Sequence, residues 1–387
     1  MKIDRPGVYI HIPFCLRKCP YCDFVSYPLS RGSPGSVQQY VDAVLQEASL
    51  RKDWLEAEGL MPEAFHSLYI GGGTPSLLGS RQIAQLLEGV TECFPFQPDA
   101  EVTLEANPGA ICRDEMLAWR HLGINRLSLG VQSLDDCLLA RLGRMHTAEE
   151  ACQTVQEARR AGFANLSLDL MLGLPGQSIE QWQETLAGAV GLRPEHLSCY
   201  ELTIEESTSY GRLQAQGKLA LPPEDEVIAM LQWTRQYLTD SGYEHYEISN
   251  YALPGYRSRH NQIYWENRWY LGLGAAAFSY WDGRRWGSTA DVEEYIHRVA
   301  VGSFPETYSE RLDKKGQLGE TIMLGLRLRE GVSLADLEVR FGLSVWGIWE
   351  AEIAGLVEAG LLELSRGRLR LTDRGLLLAS RVQAAFL

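Results

Sequence analysis

Six strand-length apolar runs alternate with amphipathic helical stretches through the first half of this chain, and no other feature limits its fold as much. The runs near Val8–Ile12, His66–Ile70, Glu101–Leu104, Arg126–Leu129, Asn165–Leu170 and His196–Thr203 are each bounded by Gly, Pro, Asn or Asp, residues that end strands. Between them, Val37–Glu58, Arg81–Cys93, Arg113–His121, Ala148–Ala161 and Ile179–Val190 place apolar residues at three- and four-residue steps, the period of a helix with one buried face. Strand–helix–strand units in succession build a parallel sheet, and their right-handed crossovers curl it. The expected class is therefore α/β, with a partial (β/α)6 barrel over residues 1–222 and ligands at the carboxyl ends of its strands.

The rhythm breaks at Leu221-Pro222-Pro223. One helix, Glu224–Asp240, precedes an aromatic-rich stretch from Tyr243 to Trp286 without a clean period, and residues 223–309 are read as an α+β accessory region. A last module over 310–387 reads helix, helix from Ser333, short strands around Leu361–Leu364 and Leu369–Leu371, then a helix from Asp373. That order is winged-helix-like, but its nearly balanced charges favour packing or protein contact over DNA. The formal charge of -14 for the whole chain also disfavours a nucleic-acid partner, whose binding rests on Lys and Arg neutralising phosphates. The opening MKIDRPGVYIHIPF has neither a secretory apolar run nor a transit-peptide pattern, and no stretch approaches a membrane span, so a cytoplasmic protein is expected.

Eight cysteines are present, and only three are clustered, as Cys15-x3-Cys19-x2-Cys22 directly after the first strand. Three thiolates on one loop can hold three irons of a [4Fe-4S] cube and leave the fourth iron open. A structural zinc site wants four closed ligands, and neither Cys93 nor Cys112 offers a paired arrangement. Cys93, Cys112, Cys137, Cys152 and Cys199 are expected to be buried small apolar residues.

The cysteine loop resembles that of the radical S-adenosylmethionine (SAM) superfamily, and HIPFC with GGGTPS narrows the resemblance to its oxygen-independent coproporphyrinogen oxidase-like group. The resemblance spans nearly the whole chain. It implies that the open iron chelates the amine and carboxylate of SAM, and that one electron through the cluster cleaves the sulfonium to a 5'-deoxyadenosyl radical. It also implies SAM contacts at Tyr9, Gly72, Gly73, Thr74, Glu105, Gln132, Arg144 and Asp169. Tyr21, between two cluster cysteines, shields the cluster, stacks near adenine or simply packs.

Two departures separate the chain from the oxidase of that group. Phe24 stands where the oxidase motif carries one more cysteine, and only fourteen residues precede Cys15 where the oxidase has a long extension. Both features resemble the HemW heme-chaperone family instead, as does His260-Asn261-Gln262-Ile263-Tyr264-Trp265, which matches that family's HNxxYW motif. This resemblance implies a heme carrier that hands heme to an acceptor protein, with His260, Asn261, Tyr264 and Trp265 at the heme. An imidazole is a common axial ligand, and aromatic walls suit the macrocycle. Radical SAM decarboxylation of coproporphyrinogen III is the alternative activity, and an RNA-modifying enzyme is disfavoured by the acidic balance. If SAM is cleaved and not only bound, an electron donor is also needed.

Overall fold

The computed structural model describes residues 5–29 and 37–387. Six strands run parallel in chain order: β1 (Gly7–Ile12), β2 (Phe65–Gly72), β3 (Phe96–Ala106), β4 (Arg126–Gln132), β5 (Leu166–Leu172) and β6 (His196–Glu201). The helices between them are α1 (Val37–Ala57), α2 (Ser80–Cys93), α3 (Arg113–His121), α4 (Asp136–Arg141), α5 (Ala148–Arg160) and α6 (Ile179–Gly191). Reciprocal capping boxes fix two of the helix starts. Thr147 Oγ1 accepts from Glu150 N at 3.2 Å while Thr147 N donates to the Glu150 carboxylate at 2.8 Å, and Ser178 with Gln181 repeats the arrangement.

The strands alternate with period two. Leu68, Ile70, Leu104, Leu127, Leu129, Val131, Leu168, Leu170 and Leu197 are fully buried in the core beneath the helices, each such side chain contributing roughly 1.5–3 kcal/mol. Their neighbours Tyr69, Glu105, Arg126, Ser128, Asp169, Ser198 and Tyr200 face inward to a polar lumen. The outer face holds the curved sheet together, which leaves the inner face free for chemistry.

Beyond β6 come α7 (Ser209–Ala215), α8 (Glu224–Asp240), β7 (Glu244–His245), β8 (Asn250–Ala252), α9 (Arg259–Trp265), β9 (Tyr270–Leu273), β10 (Phe278–Trp281), β11 (Arg284–Ser288), α10 (Val292–Ala300) and β12 (Glu306–Arg311). These strands extend the barrel sheet at both edges. β8 pairs antiparallel with β6, β9 lies parallel to β1, and β10 to β12 continue antiparallel, giving the order β12-β11-β10-β9-β1-β2-β3-β4-β5-β6-β8-β7. The aromatic-rich stretch is thus continuous with the barrel, and β12 runs across the boundary expected at residue 310.

The C-terminal module comprises α11 (Lys314–Gly325), β13 (Val332–Ser333), α12 (Leu334–Phe341), α13 (Val345–Glu358), β14 (Leu362–Ser365), β15 (Arg368–Leu371), α14 (Asp373–Leu377) and α15 (Ala379–Gln383). A three-stranded sheet ordered β13-β15-β14 closes over a separate core that includes Leu318, Ile322, Trp349 and Ile353. Among the described residues no helix is long and apolar enough to cross a membrane.

Candidate functional site

Cys15, Cys19 and Cys22 border a cavity of about 600 Å³ at the carboxyl ends of the parallel strands. Their loop is pinned at its base, where Phe14–Cys15 pairs with Tyr27–Pro28 in a short parallel ladder, and internally by Cys22 N donating to Cys19 O at 3.2 Å. The end of β2 passes tightly beneath it: Gly73 N donates to Ile12 O at 2.8 Å. A Cβ on Gly73 would lie 2.5 Å from Phe14 O and 3.0 Å from Cys15 Sγ, and Gly72, at φ +117°, has its missing Cβ 2.7 Å from the His11 ring. Glycine is required here by close approach as well as by backbone conformation. Among the described residues no three His, Cys, Asp or Glu side chains converge as ligands of one metal ion; a cube that gives each thiolate its own iron does not need them to.

The cavity brings together Tyr21, Gly72, Gly73, Thr74, Glu105, Gln132, Arg144 and Asp169 with the three thiols. Glu105 accepts from Tyr69 OH at 2.7 Å and from Gly72 N at 3.0 Å. Burial pushes its carboxyl up to about 7, with nearby Asp169 adding to the rise and the two donors opposing it. Asp169, held by Ser128 Oγ at 3.2 Å, is raised by burial as well, against the hydrogen bonds of Ser198 and Ser128 and the Arg126 charge. Gln132, the last residue of β4, adopts a left-handed backbone at φ +66°, an outlier of the kind that over-determined sites keep.

Arg144 lies in the loop between α4 and α5, not in a helix, because the chain leaves α4 at Arg141. Its guanidinium donates to Gly130 O at 2.7 Å and to Asn107 Oδ1, and Nη1 stands 4.0 Å from Cys19 Sγ. Asn107 in turn donates to Thr74 Oγ1 at 2.9 Å, so one chain of contacts ties three strand ends to the cysteine loop. Tyr21 both lines the cavity and packs with Leu138, Leu142 and Tyr210.

Tyr9 departs from the expected set. It lines a neighbouring hollow and not this cavity, its OH 2.9 Å from His11 Nδ1. Tyr69, Asn107, Arg126, Ser128, Ser198 and Tyr200 line the cavity without having been singled out from the sequence. For β4 to β6 the signal was there: Arg126 and Ser128, Ser167 and Asp169, and Ser198 and Tyr200 stand at alternate positions, which marks a polar inner face.

The HNxxYW segment forms α9, whose N-terminus rests on Glu101: Arg259 N and His260 N each donate to that carboxylate at 3.0 Å. The resemblance puts His260 at the heme, and in the fold both of its ring nitrogens have protein partners. Its ring is buried, Nδ1 is 2.8 Å from Ser67 Oγ, Nε2 is 2.8 Å from Tyr264 OH, and one face stacks on Tyr69. Burial holds its pKa down at about 3, so the ring is neutral. Asn261 lines the main cavity, Tyr264 lines the neighbouring hollow, and Trp265 points to the C-terminal module, with the Arg327 guanidinium 4.2 Å from its ring centre. The motif's side chains are therefore divided among three environments.

The remaining cysteines also differ from expectation. Only Cys199 is fully buried; Cys93 and Cys152 are half-buried, and Cys112 and Cys137 are exposed. The exposed pair lie at helix starts, as the N-cap of α3 and in the first turn of α4, where the chain turns outward.

Comparison with known proteins puts this cysteine-lined cavity, at the mouth of a parallel β/α barrel followed by a C-terminal module, in a radical SAM protein with the fold of a coproporphyrinogen III oxidase. The radical SAM superfamily model matches residues 9–187, and the HemN C-terminal domain model matches residues 312–378. The chain is 36% identical over 382 residues to the heme chaperone HemW of Bacillus subtilis (98% of this chain, 99% of that protein). It is 35% identical over 386 residues to the heme chaperone HemW of Lactococcus lactis (100% and 98%). The coproporphyrinogen III oxidase HemN of Escherichia coli, a radical SAM enzyme, superposes with a TM-score of 0.85 at 25% identity, covering 99% of this chain and 90% of that one. The chain belongs to the HemW family.

Proposed function

We propose that this protein is a cytoplasmic heme chaperone that carries a [4Fe-4S] cluster on Cys15, Cys19 and Cys22, binds SAM beside it, and passes heme to an acceptor protein. The observation that carries the reading is the joining of three thiols, a glycine-lined strand end and two buried carboxylates in one cavity. Bound there, the cluster supplies an iron without a protein ligand and a path for one electron. Backbone at Gly72 and Gly73 lies open to the methionyl end of SAM, and Glu105 and Asp169 retain lone pairs for ribose hydroxyls. Arg144 steadies the loop next to Cys19. An electron donor enters the account only if SAM is cleaved.

The chaperone assignment comes from near-full-length likeness to proteins named heme chaperones. The TM-score of 0.85 to an oxidase favours oxidative decarboxylation of coproporphyrinogen III as the second reading, and Phe24, where that enzyme's motif has a cysteine, weighs against it. One comparison decides. Anaerobically reconstituted protein is given heme, and separately coproporphyrinogen with SAM and a reductant. About one retained heme, transferable to an apo-acceptor, with no protoporphyrinogen formed, is the expected result; turnover of coproporphyrinogen without heme retention replaces the chaperone with the oxidase.

A further inference from the structure

Arg126, the first residue of β4, is 1% exposed, and its side chain lines the lumen. Of the three arginines on the cavity wall, Arg17 is exposed on the cysteine loop and Arg144 is spent on Gly130 O and Asn107 Oδ1. Arg126 Nε has no hydrogen-bond partner among the described residues. A buried guanidinium short of hydrogen bonds is costly unless opposite charge surrounds it, and an arginine cannot escape the cost by losing its proton. Register supplies that charge from both sides. Arg126 pairs with Thr103 of β3, so Glu101 and Glu105, two residues to either side on the same face of that strand, flank it. Across β4, Ser128 pairs with Ser167 of β5, and Asp169 follows two residues on, with Ser128 Oγ donating to it at 3.2 Å.

The groups that face Arg126 are Tyr69 of β2, Glu101 and Glu105 of β3, Asp169 of β5, His196 of β6, Tyr246 ahead of β8 and His260 of α9. Both histidines are neutral, held down by burial and then by the Arg126 charge, so neither replaces it as a cation. Burial opposes the charge of Arg126 itself, and Glu101, Tyr69, Tyr246 and Asp169 more than offset that. Glu101 is committed elsewhere, since its two oxygens accept from Arg259 N and His260 N. Glu105 and Asp169 are the acids that share the cavity with Arg126. Burial raises both carboxyls; Arg126 lowers both, alongside Tyr69 and Gly72 at Glu105, and alongside Ser198, Ser128 and Arg144 at Asp169. Tyrosine, serine and backbone donors orient a carboxylate without balancing its charge. The buried guanidinium balances it.

We infer that Arg126 is a positioning residue of the SAM site, the buried counter-ion that keeps Glu105 and Asp169 as carboxylates for the ribose hydroxyls and the cationic sulfonium. The inference rests on the SAM-binding reading and adds what sets the charge of the site. It is tested on the full chain with its cluster by pH-difference infrared spectroscopy, the band of protonated Glu105 being assigned by its loss in Glu105→Gln. Arg126→Met keeps the length of the side chain and removes the charge. It moves the Glu105 midpoint up by about one pH unit or more, and Arg126→Lys returns it to near the wild-type value. SAM affinity, read by calorimetry, follows: at pH 7 it is roughly fivefold or more weaker in Arg126→Met, with the gap closing as pH rises. Should Arg126→Met fail to fold, judged by circular dichroism and cluster iron, Asp169→Asn is compared with Arg126→Met/Asp169→Asn, where one buried acid fewer needs a counter-charge. An unchanged Glu105 midpoint overturns the inference, and so does an affinity loss equal at every pH, which marks a structural arginine. A wild-type chain that binds no SAM removes the SAM reading, while the infrared midpoint still decides whether Arg126 is the counter-ion.

Discussion

Glu105 is the residue whose chemistry depends most on its surroundings. Both of its oxygens already accept hydrogen bonds, from Tyr69 and Gly72, yet burial still raises it to about 7. Around neutrality it is therefore divided between acid and carboxylate, and only the carboxylate is a full acceptor for ribose hydroxyls. If SAM selects the ionised form, binding releases a proton below the pKa and affinity rises with pH. The ionised fraction grows about tenfold between pH 6 and pH 8 for a pKa near 7, and SAM affinity is expected to follow. Glu105→Gln removes the titration and should flatten that slope, whatever it does to absolute affinity. Calorimetric titration of both proteins at the two pH values checks this, and parallel slopes would assign the pH dependence to another group.

At the scale of elements, the cysteine loop and the end of β2 form one unit, because Gly73 leaves no room for a side chain between Phe14 O and Cys15 Sγ. Gly73→Ala should displace Cys15 and lower cluster iron several-fold while far-ultraviolet circular dichroism stays native. Gly79→Ala is the control, since its nearest neighbour is 3.7 Å away and its φ of -63° suits alanine. Equal iron in the two variants would mean that the loop adjusts freely. The loop and the parallel strands were legible in the sequence because clustered thiols, glycine runs and buried apolar repeats are local signals. β8 to β11 were not: they are three to five residues long and rich in aromatics, too short for a periodicity to develop, and β8 and β9 join the sheet through β6 and β1, which lie far away in the chain. The hydrogen-bond partners of His260 were hidden for a related reason. A motif shows which residues are near one another, but only the fold shows that Ser67 and Tyr264 have already taken both ring nitrogens.

For the whole molecule, α9 is where barrel, hollow and C-terminal module meet, and the module holds its far end. Arg340 of α12 donates to Glu266 O at 3.0 Å and to Asn267 O, carbonyls at the carboxyl end of α9, where a cation also complements the helix dipole. Asn267, buried and at φ +46°, ends the helix with Asn267 N bonded to Tyr264 O and Arg268 N to Ile263 O, while its amide donates to Thr321 Oγ1 at 3.0 Å. The strands behind α9 are anchored independently by the main core. Arg340→Ala should therefore free α9 without unfolding the barrel. One lost charge-assisted hydrogen bond is worth ~1.5–3 kcal/mol, so with two lost, amide exchange across residues 259–268 is expected to accelerate by at least roughly ten- to a hundredfold, with β2 to β5 unchanged. Arg340→Lys keeps the charge but not the two-pronged donor, and should fall between wild type and alanine. Hydrogen-exchange mass spectrometry reads all three proteins; acceleration spread evenly over the chain would mean that Arg340 supports global stability and not the seating of α9.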